Sequence, residues 1–238
     1  MSHTHLFKKA FIDSLPVLMG YSAMGFAAGV LLAVHAGISY PAIWSAVFGT
    51  VCVSGALQFM ITGWLKELTP LLDVALITLC LNLRYSMYGL SMLERFHGIG
   101  FARKSYLIWA MTDETYALEV ENKHLDHKSD IFYCICLAAL NHFYWIAGVT
   151  TGALAGSMLP FPAEGIDFAM TALFLVILTD QCRGKKNHFP ALTGGIASVA
   201  AWLLLGRKLM LIPAMAAMIV IFIFSRKFSL SAKEAEND

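Results

Sequence analysis

The chain has 238 residues, with 17 Lys and Arg against 16 Asp and Glu and a formal net charge of +1. Hydrophobic residues make up 58% and charged residues only 14%, with a mean hydropathy of +0.66, whereas a soluble domain carries about 25% charge. This balance excludes an ordinary soluble domain, and so small a net charge gives no electrostatic footing for nucleic acid.

Between Asp13 and Lys66 there is no Asp, Glu, Lys or Arg, a length that holds two spans of about 20 residues each. Lys8 and Lys9 precede this stretch, but the apolar run from Ser14 is too long for a signal-peptide core and no small-residue cleavage pattern closes it, so a retained helix is expected. Gly37-Ile38-Ser39-Tyr40-Pro41 is the natural turn, which places helices over about 14–36 and about 42–65. Pro70 opens a third helix over about 71–93.

The stretch 106–120 is ambiguous, because Leu107 to Met111 is apolar while Asp113-Glu114 sits in its middle. Beyond a polar segment, spans are expected over about 131–159, 167–182, 189–205 and 209–224, and residues 225–238 form a polar tail. Every proline except Pro213 falls in a turn or in the first turn of a span. The runs do not alternate as barrel strands would. The expected fold is all-α: one membrane domain, a polytopic transmembrane bundle of seven or eight spans. The positive-inside rule does not choose between the two counts, and both place the C-terminus in the cytoplasm.

Polar residues inside the apolar runs are the candidates for function. In the helix over 42–65, Thr50, Ser54, Gln58 and Thr62 recur every four residues and form one drifting stripe, with Gly55 beside it to admit another backbone or a ligand. Such a stripe either hydrogen-bonds neighbouring helices or lines a pathway. In the helix over 71–93, Asn82, Ser86 and Gly89 share one face, and Arg84, Tyr88 and Ser91 a neighbouring one. An arginine this deep costs roughly 2.5–3.5 kcal/mol on insertion scales, so Arg84 needs a partner. Asp73 lies about 16 Å away along a straight helix, which leaves Asp113, Glu114 and Asp180. Arg84 then forms a structural pair, snorkels to an interface, or binds a substrate carboxylate while the acids handle a proton.

Asn141 and His142 lie in the span over 131–159, and His142 reads as a core histidine more readily than as a proton carrier, a task its side-chain type would suit. Gly25 and Gly29, and Gly148, Gly152 and Gly156, have the spacing of close helix–helix packing faces. A weak internal repeat pairs Leu81-Asn82-Leu83-Arg84-Tyr85 and Thr112-Asp113-Glu114 with Leu140-Asn141-His142-Phe143-Tyr144 and Thr179-Asp180-Gln181. The five cysteines form no C-x-x-C pair and read as packing residues. There is no Walker A loop, no H-E-x-x-H, no G-x-S-x-G and no metal-ligand spacing. Neither enzyme chemistry nor a cofactor or metal is expected.

Ser54-Gly55-Ala56-Leu57-Gln58-Phe59, Leu81-Asn82-Leu83-Arg84-Tyr85 and Met111-Thr112-Asp113-Glu114-Thr115-Tyr116-Ala117-Leu118 follow one another as they do in AzlC-type proteins. The chain resembles that family from Asp13 to about Trp202. These are the large subunits of bacterial branched-chain amino acid exporters, also called the YgaZ/BrnF type. The resemblance implies an inner-membrane exporter of leucine, isoleucine and valine, often methionine, driven by the proton motive force and working with a small AzlD-type membrane subunit. On the physical argument, Ser54, Gly55, Gln58, Asn82, Arg84, Tyr85 and Asn141 are the candidates for substrate binding. Asp113, Glu114 and Asp180 are the candidates for the ammonium or the coupling proton. A non-transporting structural subunit and a channel are the competing readings.

Overall fold

The computed structural model describes residues 3–122, 126–158 and 188–210, together with scattered positions between 168 and 221. The continuous described segments form eight helices: α1 (His3–His35), α2 (Pro41–Cys52), α3 (Gly55–Glu67), α4 (Leu71–Met92), α5 (Phe101–Trp109), α6 (Asp113–Glu121), α7 (His127–Met158) and α8 (His188–Leu209). No strand occurs among the described residues. Among them, α1, α4 and α7 are long and apolar enough to cross a membrane. Two compact units result, one of residues 1–71 and 81–170, the other of residues 72–80 and 171–238.

The first unit is built on α1 and α7. The carbonyl of Tyr21 lies against Gly148, Phe26 against Gly152, and Val30 against Gly156. Residue numbers rise together on both helices, so they run parallel. The glycines let the backbones touch, which is the closest approach that small residues permit in a bilayer. At Gly25, an added Cβ would stand 3.1 Å from the backbone nitrogen of Val149. Helix α1 starts well before the expected residue 14, so Pro16 lies inside the helix rather than in its first turn. Tertiary contacts hold this early portion: Leu6 and Ala10 are buried, Tyr133 donates to Asp13 at 2.8 Å, and Lys9 reaches Asn122.

Two interruptions shape the rest of the unit. The single helix expected over 42–65 is instead α2 and α3, joined at Val53–Ser54. Gln58 comes thirteen residues after Ser45, about 20 Å along a continuous helix. Yet its Nε2 donates to the Ser45 carbonyl at 3.3 Å, so the chain has doubled back. The reversal occurs at Val53, whose φ of 40° and ψ of 37° are left-handed, a conformation that costs a β-branched residue of order 1–3 kcal/mol. The stripe expected from Thr50 to Thr62 is therefore split between the two arms of a hairpin.

The stretch expected over 106–120 is likewise two nine-residue helices, α5 and α6, parted at Ala110–Thr112. Arg95, just after α4, donates to the carbonyls of Glu119 and Asn122, so the far end of α6 returns to the level at which α5 began. Along α4 and α6 the pairings Arg84–Asp113, Tyr88–Tyr116 and Arg95–Glu119 rise together, confirming that α6 runs back beside α4. Neither hairpin passes through the unit. Each turns back at its tip, α2–α3 at Val53–Ser54 and α5–α6 at Ala110–Thr112.

In the second unit, α8 carries small residues that with Pro213, Ala217 and Ile221 line an apolar cavity of about 540 Å³. Gly206 breaks its helical geometry with a φ of 75°. The spans expected over 167–182 and 209–224, the tail 225–238, and the Asp180 half of the proposed repeat lie mostly outside the described residues.

Candidate functional site

Both hairpin tips converge on α1, α4 and α7. Thr112 caps α6: its backbone is extended and its side-chain oxygen accepts the Thr115 N–H at 3.2 Å, satisfying a donor the first turn leaves open. The Tyr21 hydroxyl lies 2.8 Å from the same Thr112 oxygen and 2.8 Å from Glu114 Oε2, so a phenol from α1 clamps the tip. Asn141 of α7 donates to Thr115 Oγ1 at 2.9 Å. Replacing Thr112 by alanine removes the cap and one Tyr21 partner, for an expected loss of about 1–2 kcal/mol. Thr112→Ser should retain most of it. Thermal unfolding of the two variants in the same detergent measures the difference.

Arg84 meets Asp113 at 2.8 Å, with the two side chains 41% and 38% exposed. Its other terminal nitrogen donates to the Tyr85 hydroxyl at 3.0 Å. Tyr88 faces Asp113 from the next turn of α4 and stacks on Tyr116 with centroids 4.4 Å apart. From the opposite hairpin, Ser54 precedes α3 with no cap bond to its own helix, and its hydroxyl faces Tyr85. Gly55 lets the tip close on α7: a Cβ there would stand 3.3 Å from the Trp145 ring. Trp145 in turn packs edge-on against Tyr21 at 5.4 Å. An ion pair that is neither bare nor sealed thus sits between two reversed chain tips, walled by tyrosines and tryptophan. Asp113 Oδ1 is enclosed without a hydrogen-bond partner, which leaves an acceptor available.

The residues expected to act together are partly separated. Arg84, Tyr85, Asp113 and Ser54 form one group, with Glu114 and Asn141 joined to its edge through Tyr21, Thr112 and Thr115. Gln58 is turned into the α2–α3 hairpin, 1% exposed. Asn82 Oδ1 is enclosed without a partner. Asp180 lies outside the described residues. Sequence reasoning missed Tyr21 and Trp145, aromatic residues that no local pattern distinguishes from packing. It also missed the cap, although Thr112-Asp113-Glu114 carries a helix-start signal, an N-cap followed by acids in the first turn.

The described residues hold no group of three or more His, Cys, Asp or Glu placed to bind a metal, and the side chains gathered at the site present an ion pair and hydrogen-bonding hydroxyls. The family described as "AzlC protein" matches residues 16–159, which takes in both hairpins and the Arg84–Asp113 pair. The "Branched-chain amino acid transport protein AzlC" of Bacillus subtilis is 33% identical over 221 residues, covering 93% of this chain and 85% of that protein. An "Uncharacterized membrane protein" of Helicobacter pylori strain 26695 is 35% identical, covering 94% and 98%. The "Inner membrane protein YgaZ" of Escherichia coli is 30% identical, covering 79% and 78%. No solved structure matches. The chain is a helical membrane protein and belongs to the AzlC family.

Proposed function

We propose that the protein is a secondary transporter that exports branched-chain amino acids, leucine, isoleucine and valine, with methionine accepted. The Arg84–Asp113 pair carries this reading. A zwitterion presents a carboxylate and an ammonium on one carbon, the complement of a guanidinium beside a carboxylate. The substrate carboxylate takes Arg84 and the Tyr85 hydroxyl, and its ammonium takes Asp113 with Tyr88 beside it. Ser54 supplies a further hydrogen bond. Opening one ion pair to make two is nearly balanced in charge, as a site that must also release its ligand requires.

Discrimination among aliphatic side chains by one methylene is worth only about 1–3 kcal/mol, so a small group of substrates is expected rather than one. The name of the Bacillus subtilis relative, a branched-chain amino acid transport protein, supports the substrate class. The proton motive force as drive, a small AzlD-type membrane subunit as partner, and an inner-membrane location with a cytoplasmic C-terminus follow the family resemblance and belong to the proposal.

Vesicles reconstituted with the purified chain, alone and together with the small subunit, and loaded with L-leucine, should take up labelled leucine by exchange. Unlabelled isoleucine, valine and methionine should compete, and glutamate and lysine should not. Absence of exchange in both preparations rejects the transporter reading in favour of a structural subunit. Flux that does not saturate with leucine favours a channel.

A further inference from the structure

We propose that Glu119, at the C-terminal end of α6, is the group that carries the coupling proton; this rests on the transporter reading above. The residue is not part of the Arg84 site and has no evident structural role as an anion. It is fully buried, and neither carboxyl oxygen accepts a hydrogen bond from any nitrogen or oxygen donor. Of the side chains around it, the Cys134 thiol faces the carboxyl, and a thiol is a weak donor.

Charged and titratable neighbours come from three elements. Arg95, after α4, lies beside Glu119 but is already committed. Its Nε donates to Asp130 Oδ2 at 2.7 Å, one terminal nitrogen reaches both the same carboxylate and the Asn122 carbonyl, and the other terminal nitrogen caps the Glu119 carbonyl. Asp130, on the first turn of α7, is 6% exposed and repels a second anion. Tyr133 is bonded to Asp13 on α1, and Lys9 lies over the Tyr133 ring and bonds Asn122. The cluster is therefore neutral when Glu119 is protonated and carries one excess negative charge when it is not. Burial pushes the carboxyl up to about 8, with Asp130 adding to the shift and Arg95 opposing it, so the proton is held near neutral pH and can still leave.

The route from proton to substrate is short. Glu119 and Asp113 are six residues apart on one helix, about 9 Å. When Glu119 loses its proton, the new carboxylate competes for the Arg95 nitrogen that now caps its own backbone carbonyl. That weakens the hold on the C-terminal end of α6. The other end of the same helix carries Asp113, which holds Arg84. The proton itself moves between the Glu119 carboxyl and water at this end of the unit, where half-buried Asn122 lies one turn further on.

Leucine exchange at equal pH on both sides of the vesicle tests substrate handling, and accumulation driven by a pH step tests coupling. In Glu119→Gln, exchange is expected within about threefold of wild type, with pH-driven accumulation reduced at least tenfold. Wild-type exchange should decline as pH rises through about 8, and Glu119→Gln should show no such decline. A Glu119→Gln protein that accumulates leucine like wild type overturns the proposal. So does a folded variant that loses exchange and accumulation together, since that marks a structural role. Infrared difference titration of the purified protein gives an independent arm. A protonated-carboxyl band that disappears near pH 8 in wild type and is missing in Glu119→Gln supports the assignment, and its absence from wild type overturns it. If wild type exchanges no leucine, the transporter reading fails, while the infrared result still decides whether Glu119 holds a proton.

Discussion

Arg84→Ala is expected to lower leucine exchange roughly 30- to 100-fold. Removing one member of a hydrogen-bonded charge pair costs about 2–5 kcal/mol when the pair is buried. Here the two side chains are 41% and 38% exposed, so solvent screening places the loss at the lower end, about 2–3 kcal/mol. Two further variants separate binding from architecture. Arg84→Lys keeps the charge but loses the planar fork that reaches Asp113 and Tyr85 together. It should weaken apparent leucine affinity by about tenfold with a smaller effect on maximal rate. Arg84→Ala combined with Asp113→Ala leaves no unpaired charge, so it should recover folded yield without recovering exchange. Wild-type transport by Arg84→Lys would remove the bidentate role. Recovery of exchange by the double variant would make the pair purely structural.

The larger effect on stability is expected at the α1–α7 seam. A Cβ at Gly29 would overlap the Val149 carbonyl and stand 2.6 Å from the Ala153 nitrogen, and one at Gly152 would overlap the Phe26 carbonyl. These neighbours are backbone atoms of regular helices and cannot rotate aside as a side chain does. Gly29→Val or Gly152→Val must therefore push the helices apart along most of their length. Overpacking costs about 1–3 kcal/mol where side chains can adjust; a clash with backbone should exceed that and abolish the folded monodisperse protein. Gly63→Ala is the control, because no atom lies within 4 Å of its added Cβ and α3 gains helix propensity there. Detergent-extracted yield and thermal unfolding of the three variants measure the contrast. Normal stability of both seam variants would contradict the close parallel packing.

The two expectations draw on different parts of the sequence. The glycine seam was legible at once: Gly25, Gly29, Gly148, Gly152 and Gly156 lie at intervals of four, and in a bilayer such spacing has few uses besides close packing. The cost of a deep arginine likewise pointed to Arg84 and narrowed its partner to three acids. The hairpins were not legible in that way. Hydropathy measures how apolar a run is and does not record its direction, so the stretch over about 42–65 read as one helix. Its reversal depends on a single residue, Val53, taking a left-handed conformation that β-branched residues avoid. Ser54-Gly55 marks the place as a turn signal, but only contacts such as Gln58 to Ser45 show that the chain turns back.

By itself, the sequence determined that this protein lives in a membrane as helices, that α1 and α7 carry close-packing faces, and that an arginine in α4 needs an acid. Each follows from composition or from spacing along one helix, quantities that do not depend on the rest of the chain. The tertiary structure decided which acid answers Arg84, since the choice of Asp113 over Glu114 requires α6 to begin beside α4. It also decided that Tyr21 and Trp145 frame the site and that Glu119 is buried with neither carboxyl oxygen hydrogen-bonded. Those outcomes depend on where two chain reversals place residues far apart in sequence, and no local pattern encodes that meeting.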